Sequence, residues 1–249
     1  MDSRFQVTVL SSTPNPQQVA WLAMHQDYSE NFVGGTAEWK DEREAGRAVV
    51  KNLLANDRGH FGPLEHSQIV FGVGYFPHSV MQQARTHRVG VSFDCQSMRY
   101  TGDRIKRFGE RTEERTVEAQ LVELEDLFYL RPIGKYTDRQ GKKYEYTAEM
   151  REEDLLVCFR AAKEYAHRLN LGYSEEHARG ILPFDFRQHF VVSFTMRALM
   201  HFLDLRAKKD AQLEIQQLCE LMVPRFEIWA PEIALWYEEK RLGKARLAP

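Results

Sequence analysis

The sequence of 249 residues predicts a single α/β domain with a helical C-terminal half. Two segments are typical of strands: FQVTVLSS (5–12) alternates between apolar and polar residues, and SQIVFGVGYF (67–76) is rich in branched and aromatic residues. Segments with helical spacing follow both strands and fill most of residues 151–222. Because no stretch has the composition of an interdomain linker, residues 1–249 are interpreted as one domain.

Three helices are predicted in the N-terminal half. NPQQVAWLAMHQDYS (15–29) has apolar residues at helical spacing, and DEREAGRAVVKNLLAND (41–57) is amphipathic with acids in its first turn, where the helix dipole favours them. PHSVMQQARTHR (77–88) opens with proline and continues as a helix. The segment ARTHRVGVSFDCQSMRY (84–100) would begin at the end of this helix and continue as a loop. Residues 101–146 have the proline, glycine and charge content of an exposed excursion.

Helices dominate the prediction for the C-terminal half. Gly172 suits the residue after the end of the first of them, and Ser174 and Asp210 suit N-caps of two others. The predicted helical segments are residues 151–172, residues 174–180, the part of 181–206 that starts at about Phe190, and residues 210–222.

Charge and cysteine content exclude several classes of protein. The net charge of −2 gives no broad attraction to nucleic acid or to an anionic membrane. The three cysteines (Cys95, Cys158 and Cys219) form no CxxC pair, so neither a structural zinc site nor a disulfide framework is indicated. The N-terminus lacks the charged start and apolar run of a signal peptide, and no apolar stretch is long enough to span a bilayer. We therefore expect a protein of the reducing cytoplasm that binds neither nucleic acid nor membrane.

Arginine is strongly preferred over lysine. The chain has 23 arginines and 11 lysines, and no lysine lies between Lys51 and Lys106 or between Lys163 and Lys208, although both intervals contain several arginines. The planar guanidinium binds phosphate and carboxylate oxygens through two parallel bonds, whereas lysine is a flexible point charge. Composition alone leaves anion binding and a genomic arginine bias about equally open.

Residues 84–100 could hold a nucleophile, because Cys95 and Ser97 lie near His87 in the sequence. Covalent catalysis by a serine or cysteine needs a base within hydrogen-bond reach and a third group that orients the base. Sequence proximity demonstrates neither, and the chain has no GxSxG motif. This alternative is therefore disfavoured.

Histidine spacing does not indicate a metal site. A zinc-binding HExxH helix needs histidines four residues apart. His60 and His66 are six residues apart, and His78 and His87 are nine apart. We interpret these histidines as polar or capping residues and expect no bound metal.

Nucleotide binding remains open without either common glycine motif. The chain has no P-loop, and GVG at 72–74 lacks both a third glycine and a following helix. Arginines and backbone N–H groups can hold a phosphate instead. The charged residues of the apolar segment TMRALMHFLDLR (195–206) should be paired or functional, since burying them alone is costly. The two lysine-free intervals offer two groups of arginines for an anion site: Arg85, Arg88 and Arg99 in the first, and Arg179, Arg197 and Arg206 in the second.

Three ordered blocks resemble the flavin-dependent thymidylate synthases. THRVGVSFDCQSMRY resembles the family signature, RHR followed by seven residues and a serine, and GHFGPLEHSQIVF (59–71) resembles the segment upstream of it. RGILPFDFRQHFVVSFTMRALMHFLDLRAKKDAQLEIQQL (179–218) resembles the C-terminal block. The chain departs from the pattern in having eight residues rather than seven before the serine. It also departs at four positions: Thr86 replaces the first arginine, Cys95 an acidic residue, and Thr195 and His201 two asparagines.

This resemblance implies fold and reaction. The expected fold is a central, mostly antiparallel sheet flanked by helices, assembled as a homotetramer whose active sites are shared between subunits. The expected reaction is the reductive methylation of dUMP to dTMP. In it 5,10-methylenetetrahydrofolate gives the carbon and becomes tetrahydrofolate, and FAD reduced by NADPH gives the hydride.

The resemblance also implies site residues. Arg206 is expected to be catalytic, since a guanidinium beside the N3 and O2 edge of uracil would stabilise the ionised ring. Ser97 is then a phosphate hydrogen-bond donor rather than a nucleophile. The residues implied for dUMP are Gln83, Arg85, Thr86, Cys95, Gln96, Ser97, Met98, Arg99, Arg179 and Arg206. Those implied for FAD are His60, Gly62, Thr86, His87, Arg88, Cys95, Thr195, Met196, Arg197 and His201.

Two other functions remain as alternatives. One is a flavoprotein that oxidises or reduces a nucleotide without methyl transfer, and a requirement for methylenetetrahydrofolate would separate it from a synthase. The other is an RNA- or nucleotide-binding module that uses the arginines and aromatic residues. A colourless protein with tight, salt-sensitive RNA binding would favour the module.

Overall fold

The fold combines a sheet with many helices. The computed structural model describes residues 1–35, 38–111, 116–138 and 140–244. The strands of the described residues are β1 (Gln6–Ser12), β2 (Gln68–Pro77), β3 (Val91–Cys95), β4 (Gly134–Thr137), β5 (Lys143–Tyr146) and β6 (Arg187–Thr195). The helices are α1 (Pro16–Tyr28), α2 (Glu42–Val49), α3 (His78–Ala84), α4 (Met98–Thr101), α5 (Asp103–Arg111), α6 (Val117–Leu127), α7 (Ala148–Asn170), α8 (Glu175–Ala178), α9 (Met196–Arg206), α10 (Leu213–Trp229) and α11 (Pro231–Lys240).

The main sheet has four strands in the order β1–β2–β6–β3. Strands β4 and β5 form a separate antiparallel pair, with Gly134 opposite Tyr146 and Thr137 opposite Lys143. Strand β6 lies between β2 and β3 although it follows them by about a hundred residues, so the sheet depends on long-range pairing. The predicted fold class, a mostly antiparallel sheet with helices, is confirmed.

The chain divides into two compact units. The first contains Met1–Phe5, Gly74–Gln82 and Asp94–Phe190. The second contains the remaining described residues, in the ranges 6–73, 83–93 and 191–244. Strands β2, β3 and β6 contribute residues to both units. The interpretation of residues 1–249 as one domain stays a prediction.

Helices α5 and α7 form the centre of the first unit. Gly109 allows this close packing, because a Cβ there would lie 2.5 Å from the carbonyl oxygen of Ala162. Strand β6 adds Arg187, whose side chain is only 1% exposed. Around these helices is a core of apolar side chains: Met98, Ile105, Phe108, Leu124, Leu127, Phe128, Cys158, Ala162, Tyr165 and Ala178.

The second unit packs α1 against α2 and buries most of α9. Two charged residues of α9 are paired, as the sequence predicted for an apolar helix. Asp204 accepts hydrogen bonds from Tyr237 and Arg241, each at 2.8 Å, and Arg197 forms an ion pair with Glu65. None of the described helices combines the length and apolar composition that crossing a bilayer requires.

Several predicted elements are confirmed and others are wrong. The strands at 5–12 and 67–76 and the helices at 15–29, 151–172 and 174–180 are present, and Ser174 accepts the N-cap bond of α8. The helix predicted for 77–88 ends at Ala84, and the predicted loop after it contains strand β3.

The C-terminal half contains two further errors. The helix predicted from about Phe190 begins at Met196, because residues 187–195 pair as strand β6 instead. The N-cap of α10 is Gln212 rather than Asp210. The excursion predicted for 101–146 contains α5, α6 and the β4–β5 pair, although residues 112–115 and 139 lie outside the described part of the chain.

Candidate functional site

A cleft of about 430 Å³ opens in the second compact unit. The turn after α3, the exposed side of α9 and a 3₁₀ turn at Gly62–Glu65 form its walls. Its lining residues are Glu65, Thr86, His87, Arg88, Val89, Arg197, Ala198, His201, Leu205 and Arg206.

The turn after α3 places His87 beside α9. The backbone N–H of Thr86 donates to the carbonyl of Gln83, and Gly90 follows with a φ of 67°. The carbonyl of Gly90 accepts from the N–H of Thr195 at 2.8 Å. A Cβ at position 90 would lie 2.6 Å from Oγ1 of Thr195, so only glycine allows this approach with the observed backbone.

The start of α9 is fixed by one carboxylate, that of Glu65. Thr195 is the N-cap residue: its Oγ1 accepts from the N–H of Ala198 at 3.2 Å and donates to Oε2 of Glu65 at 2.8 Å. The other oxygen, Oε1, accepts from Arg197 at 3.2 Å. Arg197 also lies over the ring of Phe61, with 5.9 Å between Cζ and the ring centroid. Glu65 therefore joins the 3₁₀ turn to the cap and the first turn of α9.

Arg206, the last residue of α9, is oriented by neutral groups. Its Nε donates to Nε2 of His87 at 3.0 Å, and its Nη2 donates to Oγ1 of Thr86 at 2.8 Å and to the carbonyl of Gln83 at 3.2 Å. Within the described residues nothing accepts a hydrogen bond from Nη1. The guanidinium is thus fixed along two edges and can offer the third to a ligand.

His87 is held neutral. Its ring is 7% exposed and makes edge contacts with the rings of His201, at 5.2 Å, and Phe202, at 5.0 Å. Burial, with the added charge of Arg206, lowers the pKa of His87 from 6.5 to about 4. Because Nε2 accepts from Arg206, the ring proton of the neutral form lies on Nδ1.

The lining of the cleft is rich in positive charge. Arg88, Arg197 and Arg206 face only one carboxylate, that of Glu65, among its lining residues. Burial lowers the pKa of Arg206, but an arginine remains a cation at any physiological pH. Val89 and Leu205 add exposed apolar surface beside these charges. The arrangement suits an anionic ligand that also carries a ring system.

Some residues implied for the flavin lie away from the cleft lining. His60 is exposed on the segment that leads into the 3₁₀ turn, and Gly62 is exposed as the first residue of that turn. Arg85, implied for dUMP, is exposed on the turn after α3. Thr195 and Met196 are buried at the start of α9, and the backbone N–H of Met196 already donates to the carbonyl of Ser67 at 3.0 Å. Thr86, His87, Arg88, Arg197 and His201 do line the cleft.

Most other residues implied for dUMP belong to the first unit. Ser97 precedes the short helix α4, and Arg99 on that helix pairs with Glu176 of α8 at 3.3 Å. Arg179 is exposed on the turn after α8. The further residues are an exposed Cys95, a half-buried Gln96 whose Oε1 accepts from the N–H of His189, and a buried Met98. The arginines are therefore grouped by unit, and not by the two lysine-free intervals of the sequence.

Glu65 and Gln212 were not among the residues implied by sequence. Glu65 stands inside the block GHFGPLEHSQIVF, and Gln212 inside the C-terminal block, so the resemblance itself contained the signal. Among the described residues, no group of three or more histidine, cysteine, aspartate or glutamate side chains could hold a metal ion.

Curated relatives match almost the whole chain. A family model described as "Thymidylate synthase complementing protein" matches residues 8–232. The flavin-dependent thymidylate synthase of Haloarcula marismortui is 32% identical to this chain, over 98% of this chain and 99% of the relative. The enzyme of the same name from Halobacterium salinarum has the same identity and the same coverage.

Solved structures share the fold. Thymidylate synthase X from Helicobacter pylori, crystallised with FAD and dUMP, aligns with a TM-score of 0.66 at 17% identity, over 92% of this chain and 99% of that one. The UMP/dUMP methylase PolB from Streptomyces cacaoi, bound with 5-Br dUMP, aligns with a TM-score of 0.67 at 22% identity, over 99% of this chain and 98% of that one.

Proposed function

Since the chain belongs to the flavin-dependent thymidylate synthase family, we propose that it converts dUMP to dTMP. The proposed carbon donor is 5,10-methylenetetrahydrofolate, which leaves as tetrahydrofolate, and the proposed reductant of the flavin is NADPH. The observation that carries the proposal is the position of Arg206: a guanidinium fixed by neutral partners in a cleft that contains two further arginines.

The cleft fits FAD by its donors. Arg88 is exposed, lines the cleft and has no acid within ion-pair distance among the described residues, so it can bind a phosphate oxygen. The apolar side chains of Val89 and Leu205 suit the flavin ring. Bound there, FAD would supply the hydride that completes the methyl group. We propose that Thr86, His87, Arg88, Arg197 and His201 hold it.

Arg206 is proposed to activate the uracil ring. The C5 carbon must gain electron density to attack the one-carbon unit, and ionisation of the ring leaves negative charge on its N3 and O2 edge. A guanidinium whose Nη1 edge faces that charge stabilises it without reorganising, because His87, Thr86 and Gln83 already fix the other edges. The neutral state of His87 is essential here, since a protonated ring could not accept the bond from Nε.

The phosphate of dUMP is assigned to the first unit. Ser97, Arg99 and Arg179 are proposed to bind it, with Ser97 as a hydrogen-bond donor. The pairing of Arg99 with Glu176 keeps Arg99 close to the helix that precedes Arg179. We further propose a homotetramer in which each active site takes these groups from one subunit and Arg206 from another.

The visible spectrum and the product test the proposal together. The purified protein should be yellow or take up FAD, with an absorbance maximum near about 450 nm. It should form dTMP only when dUMP, methylenetetrahydrofolate and NADPH are all present. Flavin binding and nucleotide oxidation without any need for methylenetetrahydrofolate would favour the alternative flavoprotein. A colourless protein that gains no flavin and binds RNA would overturn the assignment.

Mixed oligomers test whether sites are shared. Arg99→Ala and Arg206→Ala proteins should each be nearly inactive alone. When they are co-expressed, one shared site of a mixed dimer receives both substitutions and the other receives neither, so activity should recover to a fraction of wild type. If mass analysis confirms mixed oligomers and activity stays at the level of the single variants, both arginines act in the same subunit's site.

A further inference from the structure

Three side chains of the second unit form a hydrogen-bonded series that ends at Gln83. The Nε2 of Gln212 donates to Oε2 of Glu214 at 2.7 Å, and the Nε2 of Gln83 donates to Oε1 of Gln212. Glu214 is 1% exposed and stands in the first turn of α10, where the helix dipole favours a carboxylate. The hydrogen-bonded series thus runs from a buried acid to a residue that adjoins the cleft.

The acid gives the hydrogen bonds of this series a single direction. An amide can exchange its oxygen and nitrogen by a rotation of half a turn, so a pair of glutamines alone could bond in two ways. In the structure Gln212 turns its NH₂ towards Glu214 and its oxygen towards Gln83. This is the orientation that a carboxylate at Glu214 selects, because a carboxylate only accepts hydrogen bonds. Gln83 must then turn its own NH₂ towards Gln212. Among the described residues nothing bonds to its carbonyl oxygen Oε1 or to its second N–H, so both can bind a ligand.

The same residue also holds the guanidinium of the site. The backbone carbonyl of Gln83 accepts from Nη2 of Arg206 at 3.2 Å and from Oγ1 of Thr86 at 2.8 Å. The hydrogen-bonded series from Glu214 therefore acts on a residue whose backbone lies next to Arg206. A wrongly turned Gln83 amide would leave an N–H where a carbonyl oxygen is needed, or the reverse.

We propose that Glu214 and Gln212 are positioning residues that set the orientation of the Gln83 amide at the dUMP site. This inference rests on the proposed function, because it takes dUMP as the ligand that Gln83 contacts. Gln212 and Glu214 do not touch the substrate in this role. They act through Gln83, and their contribution disappears when the Gln83 side chain is absent.

A double-mutant cycle tests this dependence. The dissociation constant of dUMP is measured by calorimetry on FAD-loaded wild type, Gln83→Ala, Gln212→Ala and the double variant. Each single change should weaken dUMP binding about three- to tenfold, the effect of losing one hydrogen bond. The double variant should be no weaker than Gln83→Ala alone, because residues that act through one contact are not additive. The KM for dUMP should rise more than kcat falls.

Two further variants separate positioning from folding. Glu214→Gln keeps the size and burial of the side chain but allows the amides to turn, so it should weaken dUMP binding like Gln212→Ala while the flavin content stays at the wild-type level. Gln216→Ala is the matched control: Gln216 is on the same helix and donates to the carbonyl of Ala211 at 2.7 Å. This control should bind dUMP like wild type.

The outcomes distinguish the inference from the proposed function. If wild type binds no dUMP, the proposed function fails and the inference fails with it. If wild type binds dUMP but Gln212→Ala or Glu214→Gln binds it normally, only the positioning role is overturned. Effects of Gln83→Ala and Gln212→Ala that add in full would also overturn it, because Gln212 would then act independently of Gln83.

Discussion

Arg187 in the first unit and Arg206 in the second use the same planar group in different ways. Arg187 is 1% exposed and engages all three nitrogens: Nε donates to the carbonyl of Glu125 at 2.5 Å, Nη1 to that of Tyr75 at 2.7 Å, and Nη2 to the carboxylate of Asp2. Arg206 is half-buried and bonds through Nε and Nη2 alone. An arginine whose guanidinium is hydrogen-bonded within the protein on every edge stabilises the fold. An arginine with one edge not hydrogen-bonded can bind a ligand.

The two arginines also differ in how their charge is balanced. Asp2 neutralises Arg187, and although burial alone would raise the pKa of Asp2, its bonds to Arg187 and Arg4 lower that pKa overall. The partners of Arg206 are a neutral imidazole, a hydroxyl and a carbonyl. The charge of Arg206 therefore remains available to an anion.

Replacement of Arg187 should have the largest effect on stability. Arg187→Met removes the donor to a buried carboxylate and to two backbone carbonyls, so the free energy of unfolding should fall by about 3–5 kcal/mol. Urea denaturation measures this change. Arg43→Ala is the control: Arg43 pairs with Glu232 but is 73% exposed, and its loss should cost less than about 1 kcal/mol. Equal losses of unfolding free energy in the two variants would show that Arg187 contributes no more to stability than an exposed arginine.

Replacement of Arg206 should instead affect turnover. Arg206→Ala loses a charged hydrogen bond to the ring in the transition state. The transition state should be destabilised by about 2–4 kcal/mol, so kcat/KM for dUMP should fall roughly 30- to 900-fold. The assay is dTMP formation with saturating FAD and NADPH. A variant that is near normal in this assay would remove Arg206 from the mechanism.

The burial of His87, with the charge of Arg206 beside it, should make stability depend on pH. The folded protein resists protonation of His87 until about pH 4, whereas the unfolded chain takes up the proton near 6.5. Stability should therefore be complete above pH 6.5 and fall by about 2–3 kcal/mol as pH drops to 4. His87→Gln should lose this part of the pH dependence in denaturation curves. An identical pH dependence in wild type and variant would show that His87 titrates normally.

The smallest effects are expected for the potential nucleophiles. Ser97→Ala removes a neutral donor, which should lower activity about tenfold at most, and Cys95→Ala should cost less. Both variants should still form measurable dTMP. If either one stops turnover while it still binds dUMP and FAD, covalent catalysis becomes the better mechanism.

Much of the fold could be predicted because it depends on local patterns. Alternation identified β1, and branched and aromatic residues identified β2. Helical spacing identified α1, and helical spacing with a capping residue identified α7 and α8. Strand β6 was missed because its apolar residues continue without a break into α9, so periodicity could not locate the boundary at Thr195. Strand β3 was missed because it is defined by pairing with β6, which is distant in sequence.

The site could be predicted in composition but not in its contacts. The resemblance named Thr86, His87 and Arg206, all of which line the cleft. The bond from Arg206 to His87 spans 119 positions and that from Thr195 to Glu65 spans 130, and only the fold brings such pairs together. The neutral state of His87 follows from burial beside Arg206, which no local pattern indicates.

The contrast between the two arginines is tested most directly by one matched pair of lysine variants. Lysine keeps the charge but lacks the planar fork, so each variant asks what the fork does. For Arg187→Lys and Arg206→Lys, both the free energy of unfolding and the kcat/KM of the folded protein are measured. Arg187→Lys should lose stability and keep kcat/KM, whereas Arg206→Lys should keep stability and lose kcat/KM. Loss of kcat/KM in Arg187→Lys, with normal turnover in Arg206→Lys, would contradict the assignment of one arginine to the fold and the other to the reaction.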